Sequence, residues 1–216
     1  YIGIYLDNNK AEIQSIDLRK ALNYGLDRKE MIRFLKNNIG SPATKGFIPD
    51  GLNTNLAVRG YSYNIKKAKE LVEQFRIDSG IQNPTLSLAS DENYVDLCTY
   101  LQNTYNQIGI TINIEVMPSA ALREAKSNGK LELFRASWIA DYPDPENYLL
   151  PYFSENFSPN GPNYTHFKSK RFDEGYKEIA ATLDADRKNN LTNSLDQQLV
   201  DTAPFILLSV SYTHLT

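Results

Sequence analysis

The sequence is poor in the residues from which most reactive centres are built. It has one cysteine, Cys98, one tryptophan, Trp138, and two histidines, His166 and His214. A lone cysteine excludes an internal disulfide and any cysteine-built zinc site. Neither histidine has another His, Cys or carboxylate nearby at metal-ligand spacing. No run of about 18 apolar residues exists, so no segment is long enough to cross a membrane as a helix. Charge of one sign is also missing: 23 Lys and Arg stand against 26 Asp and Glu, a net charge of −3. That balance lacks the basic footprint of a nucleic-acid binder. There is no G-x-S-x-G elbow and no phosphate-cradling G-x-x-x-x-G-K-[ST] loop. Repeats, low-complexity tracts and linkers are absent too. No secretory leader precedes the first strand. The chain begins without Met, already in the strand-like Tyr1-Ile2-Gly3-Ile4-Tyr5, and reads as a fragment whose N-terminus lies upstream.

What is present is ordinary globular material, with 41% hydrophobic and 23% charged residues over 216 positions, enough for one large domain or two small ones. The stretch that organises it runs from Phe134 to Tyr148. The apolar run Leu131 to Ile139 predicts a buried strand. It ends at Asp141-Tyr142-Pro143-Asp144-Pro145, where two prolines stop any ladder. Asp144 is a suitable N-cap, and Pro145 occupies the favoured first helical position. Ligands of open α/β sheets bind beyond the carboxyl ends of strands, so this turn is the leading site candidate. Asp144 has a structural task as a cap. Asp141 has none, and beside Trp138 its carboxylate calls for a cation, such as a ligand ammonium; an ordinary surface turn would also accommodate it.

The rest of the chain alternates strands and helices. Tyr1 to Leu6 reads as a strand and Asp17 to Tyr24 as a helix. A second helix is capped by Asp27, with Glu30 three residues on. Gly40 to Leu52, with two Pro and three Gly, reads as a long loop without regular structure. Asn64 caps a helix striped by Ile65, Ala68, Leu71, Val72 and Phe75. The strand Thr85 to Ala89 precedes a long amphipathic helix from Tyr94 to Ile108, with Cys98 on its apolar face and Gly109 ending it. Ile110, Ile112, Ile114 and Val116 alternate as a strand. Ser119 caps a short helix that stops at Gly129. Tyr152 to His166 reads as a surface loop, Lys170 to Ala181 and Asp186 to Val200 as helices, and Pro204 to Leu208 as a last strand. This order predicts an α/β sheet with right-handed crossovers.

Two further features bear on chemistry. Arg135 interrupts an apolar strand, so its guanidinium needs a partner, whether a neighbouring carboxylate or a ligand. Lys126, nine residues upstream across the Gly129 turn, is placed to approach the same region. Asp141, Asp144 and Glu146 offer a pair of carboxylates such as a glycosidase uses, but acids at the start of a helix are favoured there anyway. No nucleophile–base constellation is visible.

Four stretches carry a resemblance. Leu18-Arg19-Lys20-Ala21-Leu22-Asn23-Tyr24-Gly25-Leu26-Asp27-Arg28 is similar to a V-R-x-A-[IL]-x-[YH]-A-[IL]-D-R segment, with Gly25 for Ala. Gly40-Ser41-Pro42-Ala43 through Ile48-Pro49-Asp50-Gly51 is similar to a G-x-x-x-P-A…P-P-G loop. Tyr63 to Leu71 resembles Y-[ND]-P-x-K-A-K-x-L-L, with Ile65 at the proline position. Trp138 to Pro145 follows W-x-A-D-Y-x-D-P. In this order they resemble the extracellular solute-binding proteins of family 5, the peptide and nickel receptors of ABC importers. The resemblance implies a type II periplasmic-binding-protein-like α/β fold with a mixed sheet flanked by helices. Residues 1–209 would form the C-terminal lobe of a two-lobed protein. Val210-Ser211-Tyr212-Thr213-His214-Leu215 resembles a translated sequencing adapter, so 210–216 are expected to be a non-native tail.

By the same resemblance, Asp141 would pair with the α-ammonium of a peptide ligand. Arg135 and Lys126 would serve its carboxylate, with Trp138 and Tyr142 beside it. Lysine in place of arginine supplies a point charge rather than a fork. The implied partners are a peptide and membrane-embedded permease subunits, with no nucleic acid and no cofactor. The implied location is extracytoplasmic, in the periplasm or as a lipid-anchored protein on the outer face of the membrane. Nickel- and oligosaccharide-binding relatives share the scaffold.

Overall fold

The computed structural model describes residues 1–49, 52 and 58–210. Its strands are β1 (Ile2–Ile4), β2 (Ser41–Pro42), β3 (Thr85–Ser90), β4 (Thr111–Val116), β5 (Leu133–Arg135), β6 (Phe205–Ile206) and β7 (Ser209–Val210). Five of them form one mixed sheet in the order β4-β3-β5-β1-β6. β3 runs parallel to both β4 and β5, whereas β1 is antiparallel to β5 and β6. The parallel trio gives the sheet a common carboxyl end, where Ser90, Val116 and Arg135 stand. At β1, a side chain on Gly3 would collide with the ring of Phe134, so the glycine lets that ring lie flat against the sheet.

The helices are α1 (Ala11–Gln14), α2 (Ile16–Tyr24), α3 (Arg28–Lys36), α4 (Ile65–Ser79), α5 (Val95–Asn106), α6 (Ser119–Ser127), α7 (Pro145–Leu149), α8 (Lys170–Ala181) and α9 (Ala185–Thr202). Capping explains several starts. Asp27 accepts from the amides of Lys29 and Glu30, and Asn64 from that of Lys67. The left-handed Gly80 closes α4. α2, α4 and α5 cover one face with Leu18, Leu22, Ala68, Val72, Leu101 and Tyr105, all buried against Ile4, Leu86 and Leu88 of the strands. Burying one such large aliphatic side chain contributes roughly 1.5–3 kcal/mol. Cys98 is fully buried in this layer. A second core joins α8 and α9 to β6 through Phe172, Ile179, Leu195, Leu199 and Phe205.

The first motif segment proves to be a fastening. Arg28 donates to the carbonyls of Leu207 and Asn23 and to Asn23 Oδ1, while Asn23 Nδ2 donates to the Phe205 carbonyl at 2.8 Å. Arg19 donates to the carbonyls of Ile13, Gln14 and Thr202. These buried guanidiniums are met by carbonyl dipoles, and burial lowers the pKa of Arg28 to about 10. The segment therefore ties α2 and α3 to the chain's last strands.

Several expectations need correction. The strand expected over Leu131 to Ile139 pairs only at Leu133–Arg135. The Ala136 amide still reaches the Tyr1 carbonyl, but Ser137 and Ile139 are exposed; an apolar run without a neighbouring strand has nothing to bury it. Ser119 does not cap α6: Pro118 holds that position and offers no side-chain acceptor. The loop Gly40 to Leu52 contains the short β2, paired with β7. The final strand splits, with Phe205–Ile206 in the main sheet and Ser209–Val210 against β2.

Tyr152 to His166 is no loose surface loop. It carries one-turn helices at Leu150–Tyr152 and Ser154–Asn156. The side chain of the wholly buried Asn163 bonds the carbonyls of Phe153 and Phe167. Its aromatic rings point inward and its amides satisfy the backbone, so polar composition was a poor guide to exposure. Of the expected tail, Val210 lies in β7, and 211–216 fall outside the described residues.

Candidate functional site

The segment after β5 is built as a rigid turn. Asp144 accepts from the Glu146 amide at 2.9 Å, and Pro145 starts α7. The second oxygen of Asp144 takes Lys188 Nζ of α9 at 2.7 Å. Burial alone would raise the Asp144 carboxyl, but bonds from Lys188 and the Glu146 amide outweigh it and hold the group below its ordinary value. Trp138 is pinned by its indole N–H, which donates to the buried Asn147 Oδ1 at 3.0 Å. Glu146 accepts from Tyr142 Oη at 3.0 Å and from Tyr176 Oη. Asp144 and Glu146 thus both have partners within the turn and its supporting helices.

Asp141 is different. It is exposed, and among the described residues it makes no hydrogen bond or ion pair. Tyr142, 46% exposed, stands next to it. Arg135 and Lys126 have ring partners and, among the described residues, no salt bridge. Among the described residues Arg135 does not form the ion pair that an interrupted strand invites. Its guanidinium instead lies over the ring of Tyr94, 3.6 Å from the centroid. Lys126, in the last turn of α6, lies over Tyr164 at 4.3 Å and Phe134 at 5.9 Å. Burial lowers the Lys126 pKa, and the charges of Arg135 and Arg123 lower it further. That interaction places Lys126 and Arg135 in one neighbourhood, as their spacing around the Gly129 turn had indicated. The rings of Tyr94 and Tyr164 went unnoticed at the sequence level; they come from segments 41 and 29 residues away from Arg135 and carry no local pattern.

One constellation arises only from folding. Ser158 Oγ lies 3.2 Å from His166 Nε2, and His166 Nδ1 lies 3.8 Å from Asp7. The same Nε2 is 3.1 Å from the Ser158 carbonyl oxygen. With both Ser158 oxygens within reach of this one nitrogen, its role follows from the tautomer. The imidazole is stacked on Phe157, and Ser158 is 5% exposed. The arrangement braces the segment. Among the described residues no group of three or more His, Cys, Asp or Glu is placed to hold a metal.

A pinned indole, an uncommitted carboxylate and an arginine on an aromatic ring thus gather at and just beyond the end of β5, with Lys126 on a second ring nearby. The chain belongs to the bacterial extracellular solute-binding proteins, family 5; the family model, described as its "Middle" part, matches residues 1–160. It is 22% identical over 206 residues to the probable D,D-dipeptide-binding periplasmic protein DdpA of Escherichia coli, covering 95% of this chain and 40% of that protein. It is 25% identical over 209 residues to heme-binding protein A of Haemophilus influenzae, covering 94% and 38%. Among solved structures, the periplasmic binding protein DppA of Helicobacter pylori in complex with the peptide STSA superposes with a TM-score of 0.86 at 21% identity, over 97% of this chain and 40% of that one. The chain thus spans about 40% of the length of these relatives. The family is described as extracellular and solute-binding, DdpA and DppA as periplasmic, and DppA as associated with an ABC transporter.

Proposed function

We propose that this chain is a lobe, residues 1–209, of a two-lobed receptor that captures peptides outside the cytoplasmic membrane and delivers them to the permease of an ABC importer. The observation that carries this reading is Asp141, an exposed carboxylate without a partner among the described residues, on a turn fixed by the Asp144 cap and the Trp138–Asn147 bond. A rigid, uncommitted carboxylate is suited to a ligand ammonium, and the bond is charge-assisted. Arg135 and Lys126 supply the opposite charge for the ligand carboxylate. Trp138 and Tyr142 flank the ammonium end. A second lobe closing over the cleft removes water and strengthens each of these bonds. Relatives described as binding dipeptides, and a neighbour solved with a tetrapeptide, support the choice of peptide. A nickel reading has no metal-ligating cluster behind it among the described residues, and no observation favours an oligosaccharide or a hydrolase.

The test is a two-by-two comparison in the full-length receptor: free and N-acetylated peptides against wild type and Asp141→Ala. Removing one partner of a buried charged pair costs about 3–5 kcal/mol, or two to three orders of magnitude in affinity. Free-amino peptides should lose that much, and acetylated peptides, already weak, should lose little more. Equal losses for both would mean that Asp141 supports the fold and does not read the amine.

A further inference from the structure

Two cations held near one another, neither in a salt bridge among the described residues, are costly, because burial and mutual repulsion both disfavour them. Here each has a ring in place of a counter-ion. Tyr94 ends a one-turn helix, Glu92–Tyr94, that follows β3 directly and is capped by Asp91 through the Asn93 amide at 3.0 Å. This sets its ring against Arg135 at the end of the adjacent β5. Tyr164 follows the wholly buried Asn163, and its own amide bonds the Pro162 carbonyl, which sets its ring under Lys126. Both rings stand on pinned backbone. Of the other charged or ionisable groups, Arg123 acts on Lys126, the Tyr1 amine and phenol feel Arg135, and the Asp91 carboxylate, which accepts from Asn93, acts with Arg135 on Cys98. A ring face offsets part of the desolvation of a cation and leaves its charge intact. A carboxylate in the same place would cancel the charge.

Resting on the receptor reading above, we propose that Tyr94 and Tyr164 are positioning residues that hold Arg135 and Lys126 as an unneutralised pair and so make the site selective for a ligand bearing a carboxylate. The rings orient the cations; the cations touch the ligand. Such a site distinguishes a carboxylate from its amide, because only the anion repays the desolvation of two positive charges.

The probe is acetate, with acetamide as the neutral control. Lysines of the full-length receptor are reductively methylated with 13C-formaldehyde, and Lys126 is followed by NMR, its resonance assigned by its loss in Lys126→Arg. In wild type, acetate should move the Lys126 titration to higher pH and acetamide should not. In Tyr94→Leu and in Tyr164→Leu the acetate response should require roughly three- to tenfold more acetate. Tyr94→Phe, which keeps the ring, should behave as wild type. Tyr94→Met replaces the leucine variant if thermal melts show that one unfolded. Leucine variants that respond like wild type, while Asp141-dependent peptide binding persists, would overturn the positioning role and leave the receptor reading standing. No acetate response in wild type would overturn the carboxylate site itself.

Discussion

Trp138 donates its indole N–H to Asn147 Oδ1 across 3.0 Å, joining the segment after β5 to the helix that follows the double-proline turn. The acceptor is buried and the ring is partly so, which makes this bond the link between the strand end and α7. Asn147→Leu leaves the indole N–H without its acceptor. The expected loss is about 1–3 kcal/mol of stability. Because Trp138 is the single tryptophan of the chain, its fluorescence reports the change directly: the emission of the folded variant should shift to the red and quench more readily with iodide. An unchanged spectrum would show that the ring is held by packing alone.

Asp144 should respond differently from Asp141. It caps α7 and receives Lys188. Asp144→Ala should cost about 1 kcal/mol through the lost cap, seen as a lower melting temperature, with only a small change in peptide affinity. The pH dependence has a definite sign. A carboxyl held below its ordinary value stabilises the fold above its unfolded pKa and loses that contribution as pH falls through the folded one. The melting difference between wild type and Asp144→Ala should therefore be full at neutral pH and shrink in acid.

Asp196 predicts the opposite trend. Its carboxyl is wholly buried and accepts from the amides of Phe47 and Ile48 at 2.7 and 3.4 Å. A side chain at Gly46 would collide with it, so the glycine gives the carboxylate room. Burial pushes its pKa up to about 7, against the pull of those two amides. The native state then holds a proton that the unfolded chain releases near pH 4, and stability falls as pH rises from about 4 to about 7. The interval of roughly three units corresponds to something on the order of 4 kcal/mol. Asp196→Asn, which cannot ionise, should flatten that slope in denaturant titrations. Asp196→Ala should flatten the slope as well and, in acid, cost about 1–3 kcal/mol, because the Phe47 amide loses its acceptor.

The sequence by itself determined the local structure wherever the signal is local. Asp27, Asn64 and Asp144 cap the helices expected of them. The stripe of α4 buries Ala68, Val72 and Phe75, and α8 spans Lys170–Ala181 as its spacing requires. These features depend on residues three or four positions apart, within reach of one turn of helix. The turn carrying Asp141 was legible for the same reason: prolines and a cap act on their immediate neighbours. Only the tertiary structure decided where β5 stops, because a strand's length depends on its partners and β1 and β3 lie far away in the chain. It alone decided that Arg135 rests on Tyr94 and Lys126 on Tyr164. It also decided that Asp196 fastens Phe47, 149 residues away, and that Asn163 turns a polar segment inward. A buried polar group must find its complement wherever the fold presents one, and the spacing of residues along the chain carries no record of that choice.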